Sequence, residues 1–304
     1  MILGWLFKKF IAPTLITGAV TASAVLGFTG VLKQRYTKGE YSCWMSKLHD
    51  DVSLRDINMP GSHDTMATIS IGNLAGQCQS LSLSDQLNLG VRFLDIRLQQ
   101  VKSNLKAVHG IVDQKVNFDE INSVVNKFLE DNPTEFIIMS VKEESKASSP
   151  IGSFEDCLKA KLTDKYLLDR NLPDNVGEAR GKIVLLSRYQ YSTIGVEAFS
   201  EWKDSCSFTM ASSDIYIQDT YKITSAEQKQ NEVVKCFNET GHALKINFLS
   251  AYRTNYIPPS YAPSAALDIN PWINDNIANY GDRGIVLYDF VTETNMQAFF
   301  GGEK

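Results

Sequence analysis

The segment Met59-Pro60-Gly61-Ser62-His63-Asp64 sets an imidazole beside a carboxylate just after a Pro-Gly turn signal, and Val108-His109-Gly110 supplies a second imidazole further along. Two histidines suit an acid/base transfer at phosphorus. One takes a proton from an attacking hydroxyl while the other gives a proton to the departing oxygen, and each works best with a pKa near the ambient pH. The whole chain holds 4 histidines, so finding two of them in such settings narrows the chemistry considerably.

These side chains need a scaffold that brings distant positions together. Apolar runs at 54–59, 91–98, 105–108, 136–141, 183–187, 215–218, 243–249 and 285–288 read as strands. Amphipathic stretches separate several of them. In one, Phe118, Ile121, Val124, Val125, Phe128 and Leu129 recur at spacings of three and four, the signature of a helix lying on a sheet. The alternation predicts an α/β fold, a TIM-like but irregular parallel β/α barrel. In such a barrel the carboxyl ends of all strands open on one mouth. His63 and Asp64 follow the first run, Asp95 and Arg97 end the second, and His109 follows the third. Lys142 and Glu144 follow the fourth, Arg188 the fifth, and Asp219 and Tyr221 the sixth. Asn247 and Ser250 end the seventh, and Asp289 ends the eighth. Any one of these alone reads as an ordinary surface or capping residue. Their recurrence at every strand end points to one shared pocket.

Length and composition set the limits. A chain of 304 residues accommodates one such barrel of about 250 residues with an N-terminal extra. The formal net charge of -5 provides no basic field for a nucleic acid, so that partner class is not expected. Five scattered cysteines show no C-x-x-C and no zinc-type spacing, so a structural metal is not expected either. They are read as buried reduced thiols or, in an exported chain, as one or two disulfides with a thiol left over. Residues 10–32 lack any charge, are flanked by Lys8-Lys9 and by Lys33, Arg35 and Lys38, and are long enough for a membrane-crossing helix. This N-terminal apolar helix is expected to be either a signal peptide cleaved near Ala22-Ser23-Ala24 or an uncleaved anchor. The chain accordingly divides into a leader or anchor at 1–38 and a catalytic barrel at 39–304, with the product exported and either secreted or membrane-anchored.

The ordered motifs Pro60-Gly61-Ser62-His63-Asp64, Val91-Arg92-Phe93-Leu94-Asp95-Ile96-Arg97, Val108-His109-Gly110 and Ile138-Met139-Ser140-Val141-Lys142-Glu143-Glu144 resemble the X-domain pattern of bacterial phosphatidylinositol-specific phospholipase C. The likeness continues through Gly181–Arg188, Ile217–Tyr221, Ile246–Ser250 and Gly284–Phe290. The resemblance implies a catalytic set of His63, His109, Arg97, Asp64, Asp289 and Asp95. In it His63 is the general base for the inositol 2-hydroxyl, oriented by Asp289. His109 is the general acid for the diacylglycerol oxygen, supported by Asp64, which also touches Arg97. Intramolecular attack of this kind avoids capturing a second molecule.

Arg97 bears on the metal question. Calcium-dependent relatives neutralise the phosphate with a metal, whereas an arginine after Asp-Ile marks the calcium-independent type. A guanidinium carries a fixed charge and paired donors for phosphate oxygens. No metal and no cofactor are therefore expected. Arg92 is the rival candidate, but its odd spacing from Arg97 puts it on the opposite face of the strand, where a salt-bridged outer residue is the simpler reading.

By the same resemblance Lys142, Glu144, Arg188 and Asp219 bind ring hydroxyls and Tyr221 forms the platform beneath the ring. Glu143 replaces Glu144 if the register shifts by one, and Lys142 with Glu144 also reads as a simple surface pair. Ile69, Ile71, Leu74, Tyr252, Tyr256, Ile257 and Tyr261, and more weakly Trp272, are candidates to meet a lipid surface. The expected partner is phosphatidylinositol or glycosylphosphatidylinositol in a membrane, with no obligatory protein partner. Two alternatives stand beside this reading: a metal-dependent enzyme like the glycerophosphodiester phosphodiesterases, and a catalytically silent glycolipid-binding module on the same fold.

Overall fold

Alternation along the strands governs how this chain folds. The computed structural model describes residues 40–70, 76–255 and 262–301. The expected N-terminal helix at 10–32 lies outside them, as do Ile71, Leu74, Tyr256, Ile257 and Tyr261. The strands are β1 Met59–Ser62, β2 Phe93–Val101, β3 Asn104–His109, β4 Val112–Asn117, β5 Ile137–Glu143, β6 Tyr166–Leu167 and β7 Ile183–Arg188. They continue as β8 Val196–Glu197, β9 Ser207–Met210, β10 Ile215–Gln218, β11 Lys222–Ile223, β12 Leu244–Phe248, β13 Tyr252–Arg253 and β14 Ile285–Tyr288.

The main sheet runs β6-β7-β5-β2-β1-β14-β12-β10-β9, parallel throughout except where β9 meets β10 antiparallel. Among the described residues no strand pairing joins β9 to the edge formed by β6 and β8, so the barrel is irregular and its hydrogen-bonded ring is unclosed on that side. Met59, Phe93, Ile138, Val184, Leu186, Ile215, Ile217, Ile246, Phe248, Ile285 and Leu287 pack together inside. Their odd-or-even neighbours Leu94, Met139, Leu185, Val286 and Tyr288 face outward into a second apolar layer shared with the helices. Successive side chains of a strand point to opposite faces, so both layers are obligatory once the sheet is covered on both sides.

Gly61 lets β1 and β2 approach closely inside the barrel. A Cβ there would lie 2.9 Å from the Phe93 Cβ, closer than real carbon contacts allow. The opposite end of the barrel is stoppered by Met45, Leu54, Val176 and Ala179, which join the inner layer. The helix Phe118–Asp131 begins with a capping box between Asn117 and Glu120 and buries Phe118, Ile121, Val125, Phe128 and Leu129.

Several expectations require correction. The run at 54–59 is not one strand: Leu54–Asp56 is a 3-10 turn, with the Leu54 amide donating to the Asp174 carbonyl, and β1 begins only at Met59. The run at 105–108 is not a barrel strand. It lies in β3, antiparallel to β2 and β4, forming a hairpin arm that projects from the end of β2. The β2–β3 connection is too short for a crossover helix, and only an antiparallel return fits it. Arg92 is ion-paired but not on the surface. It is fully buried, 2.8 Å from Glu135, and donates to the carbonyl of Ser42. Trp272 packs, partly buried, against the outer apolar layer and does not line the cavity. All five cysteines are free thiols. Among the described residues, no helix is long and apolar enough to cross a membrane.

Candidate active site

The inward parity that fills the barrel also selects which polar residues reach its mouth. Counting in twos from Met59 leads to His63, from Phe93 to Asp95 and Arg97, and from Ile138 to Lys142 and Glu144. The same count gives Arg188 from Leu186, Asp219 from Ile217, Ser250 from Phe248 and Asp289 from Leu287. Glu143 falls on the outer parity, and Glu144, not Glu143, lines the cavity. Asn247 also falls outside, where it donates to the Val233 carbonyl and accepts from Gln218. Its expected place in the pocket is therefore withdrawn.

Just past β1 the chain turns sharply. Asp64 has φ 42, a left-handed conformation that aspartate tolerates better than most residues. The turn is pinned to β2 by bonds from the Asp64 amide to the Asp95 carboxylate at 3.0 Å and from the Asp95 amide to Thr65 Oγ1 at 2.9 Å. The reversal sends His63 and Asp64 to different partners although they are neighbours in sequence.

His63 Nδ1 lies 2.7 Å from an Asp289 oxygen, and His63 Nε2 lies 2.8 Å from Arg97 Nη2. Arginine can only donate, so Nε2 must accept and the ring proton must sit on Nδ1, bonded to Asp289. Burial presses the His63 pKa down and Arg97 adds to that pressure, but the Asp289 carboxylate, aided by Asp95, outweighs both and the pKa is raised above 6.5. Gln79, which is fully buried, donates to the carbonyls of His63 and Tyr288 and accepts from the Val291 amide. It thereby ties the backbone under His63 to the backbone around Asp289.

Arg97 occupies the centre. Its Nε and Nη2 donate to one Asp95 oxygen at 3.0 and 2.9 Å, while Nη1 lies 3.6 Å from both Asp64 and Glu144. Burial disfavours the guanidinium charge, but the carboxylates of Asp95, Asp64 and Glu144 hold its pKa well above the ordinary value. Asp95 is itself held well below the usual carboxylate range, because Arg97 and Arg188 overcome the effect of its burial. The three carboxylates that would otherwise serve a cation here are all turned on Arg97.

On the other side of Arg97, His109 Nε2 lies 3.6 Å from Asp64 Oδ2. Burial raises the Asp64 pKa, against the pull of Arg97 and His109. Lys142 and Glu144 pair at 2.5 Å; burial and Arg97 lower the lysine pKa, while Arg97 and Lys142 together lower that of Glu144 despite its burial. The Arg188 guanidinium stacks 3.4 Å from the Trp202 ring centre and approaches the second Asp95 oxygen, also at 3.4 Å. Trp202 Nε1 donates to Asp219 at 3.1 Å, and the Tyr221 hydroxyl donates to Asp204. Burial and then Asp204 push the tyrosine up to about 12.

These groups surround a cavity of about 800 Å³. It is lined by His63, His109, Arg97, Lys142, Glu144, Arg188, Asp219, Tyr221 and Asp289, whereas Asp64 and Asp95 lie just behind the lining. The arrangement offers two imidazoles near one guanidinium, with Asp289 orienting His63 and Asp64 beside His109, and suits proton transfer to and from an anion held at Arg97. Trp202, Asp204 and Gln79 were missed in sequence. Trp202 follows the two-residue strand β8, too short to show periodicity, and Gln79 sits in an irregular segment between β1 and β2.

Residues 57–189 match the family model described as phosphatidylinositol-specific phospholipase C, X domain. A 1-phosphatidylinositol phosphodiesterase of Listeria monocytogenes is 28% identical over 275 residues, spanning 86% of this chain and 84% of that protein. One from Staphylococcus aureus is 28% identical over 283 residues, spanning 83% and 88% of the two chains. Among solved structures, a Staphylococcus aureus phosphatidylinositol-specific phospholipase C superposes with a TM-score of 0.76 at 23% identity, covering 87% of this chain and 98% of that one. The Listeria monocytogenes phosphatidylinositol-specific phospholipase C gives a TM-score of 0.71 at 24% identity, over 87% and 99%. Both structures share the TIM-like barrel fold with this chain.

Proposed function

We propose that this chain is a phosphatidylinositol-specific phospholipase C of the X-domain type, which cleaves phosphatidylinositol to diacylglycerol and inositol 1,2-cyclic phosphate. The observation that carries this reading is the line His63, Arg97, Asp64, His109: a base and an acid reach one guanidinium from opposite sides.

His63 Nε2 accepts the proton of the inositol 2-hydroxyl, whose oxygen attacks phosphorus. Asp289 stabilises the resulting imidazolium through Nδ1. Arg97, released from His63 as the hydroxyl takes its place, meets the phosphate oxygens and supplies the positive charge that a metal supplies in calcium-dependent relatives. His109 protonates the departing diacylglycerol oxygen, and Asp64 bridges that acid to Arg97. Asp95 fixes the guanidinium through two bonds. Turnover is accordingly expected to need neither metal nor cofactor.

Lys142, Glu144, Arg188 and Asp219 are assigned to the ring hydroxyls and Tyr221 to the face of the ring, because all five line the same cavity. The reaction uses only the phosphoinositol unit, so a glycosylphosphatidylinositol satisfies the same chemistry. Tyr252 and Phe199 at the cavity and Ile69 and Ile111 outside it are assigned to the lipid surface. Residues 1–38 are read as an export leader or anchor.

Incubation with phosphatidylinositol vesicles, with and without chelator, followed by phosphorus NMR, tests the proposal. Cyclic phosphate in both samples is the expected result. Its absence from both would overturn the reaction, and its loss on chelation would overturn the metal-free mechanism.

A further inference from the structure

Cys78 lies between the two histidine groups and has no part in the chemistry above. It is fully buried, and its backbone ties the loop after β1 to the loop after β14: its amide donates to the Ala67 carbonyl, and its own carbonyl accepts from the Phe290 amide. Its sulfur, a nitrogen of His109 and an oxygen of Asp64 all lie within 4.8 Å of one another. We propose that Cys78, His109 and Asp64 form an inhibitory site for a thiophilic divalent cation of the zinc or cadmium class. The inference rests on the lyase reading only for its consequence, inhibition; the binding itself does not depend on it.

Two observations beyond proximity carry the assignment. Asp64 Oδ2, in a side chain only 2% exposed, accepts no hydrogen bond and lies 3.6 Å from both His109 Nε2 and Arg97 Nη1. A buried carboxylate oxygen left in that condition is costly and available to a ligand. The spacing also fits. Two oxygen or nitrogen ligands at ~2.0–2.2 Å from a tetrahedral zinc lie roughly 3.3–3.6 Å apart, and His109 Nε2 is 3.6 Å from Asp64 Oδ2. The sulfur, within 4.8 Å of both, lies close enough to close the triad with a zinc–thiolate bond of ~2.3 Å by a small side-chain adjustment.

The neighbouring triad of Cys78, His63 and Asp289 is less available. Both ring nitrogens of His63 are engaged, by Asp289 and by Arg97. A thiolate, an imidazole and a carboxylate form a donor set for zinc or cadmium and not for calcium or magnesium, which favour all-oxygen sites. Charge is balanced as well. Binding replaces the thiol proton of Cys78 by the metal and releases that proton; the thiolate and Asp64 then neutralise the dication, and Arg97 gives up its 3.6 Å contact with Asp64 but keeps Asp95 and Glu144. With His109 held as a ligand, no acid remains for the departing alkoxide, and turnover stops although substrate can still enter.

Cadmium added to the full chain should produce the ultraviolet charge-transfer band of a cadmium–thiolate bond and inhibit phosphatidylinositol cleavage, with a chelator reversing both. In Cys78→Ser and Cys78→Ala the metal-free rate should be kept. The band should be lost, and half-inhibition should require about tenfold more cadmium or beyond, at least the cost of losing an outer-sphere partner. An unchanged band and unchanged inhibition in both variants overturn the site. Should neither variant fold, zinc-edge absorption on the wild-type protein decides: one sulfur at ~2.3 Å among nitrogen and oxygen ligands supports the site, and a shell without sulfur overturns it. Cadmium binding without any lipid cleavage would count against the lyase reading and leave the metal site standing.

Discussion

Arg97 donates to His63 Nε2 at 2.8 Å, so in the substrate-free protein the base is covered by the same cation that is assigned to the phosphate. Substrate binding must exchange this bond for two others, one from the inositol hydroxyl to His63 and one from Arg97 to phosphate.

The first prediction follows from that exchange. Arg97→Lys retains a charge but loses the paired donors that lock onto Asp95 and the phosphate. Its kcat should fall by roughly 10²–10³, the range for removing a transition-state donor, while binding to phosphatidylinositol vesicles changes little. Steady-state kinetics alongside vesicle sedimentation checks the split, and a variant within a few fold of wild type would sink the assignment.

His63 predicts the acid limb of the pH profile. The base works only when deprotonated, and its pKa is raised above 6.5 by Asp289 against burial and Arg97. In the free protein kcat/KM should therefore decline as pH falls through a midpoint above 6.5. Asp289→Asn removes the raising charge, so the midpoint should move to lower pH while the plateau drops by up to ~10⁴, as when an orienting carboxylate is lost in other oriented-base systems. A midpoint that stays in place would show that Asp289 does not control this histidine.

Gln79 should act as a positioning residue. Gln79→Ala removes two donors and one acceptor from a fully buried site, leaving the carbonyls of His63 and Tyr288 short of partners. We expect a loss of about 1–3 kcal/mol in folding stability and a lower kcat at nearly unchanged KM. Denaturant titration and a pH profile distinguish this from a purely structural effect, because misplacement of Asp289 should also shift the His63 limb.

Ile111 stands 96% exposed at the tip of the β3–β4 arm, two residues from His109. An isoleucine so exposed is suited to an apolar interface. Ile111→Ser should reduce activity on phosphatidylinositol vesicles several-fold, with no effect on a soluble monomeric substrate. Equal rates on vesicles would remove the arm from the interface.

Much of this site was legible because one rule served twice. The parity that makes Met59, Phe93, Ile138 and Leu287 inner core also carries His63, Arg97, Glu144 and Asp289 to the mouth. Recurrence of polar residues at strand ends located the site in the sequence, and the parity seen in the structure resolves Glu144 from Glu143. The arm was misread because its residues alternate like any strand; the short gap before it was the signal for a hairpin. The stacked pair Arg188 and Trp202 is joined across an irregular connection, and the clamp by Gln79 reaches residues over 200 positions away at Tyr288 and Val291, so no regular local spacing encodes them.

The hairpin that bears His109 gives the two proton carriers unequal footing. His63 is rooted in the parallel core, whereas His109 rides on two strands whose pairing to the main sheet runs along β2, with the Gln114 side chain bonded to the Ile69 backbone besides. Sub-global opening favours such outlying units. Gentle heating should therefore fray the arm first, silencing departure of the lipid alcohol while the machinery for attack is still assembled. The protein would fail as a catalyst before it fails as a fold, and amide exchange in Asn104–Asn117 would announce that failure early.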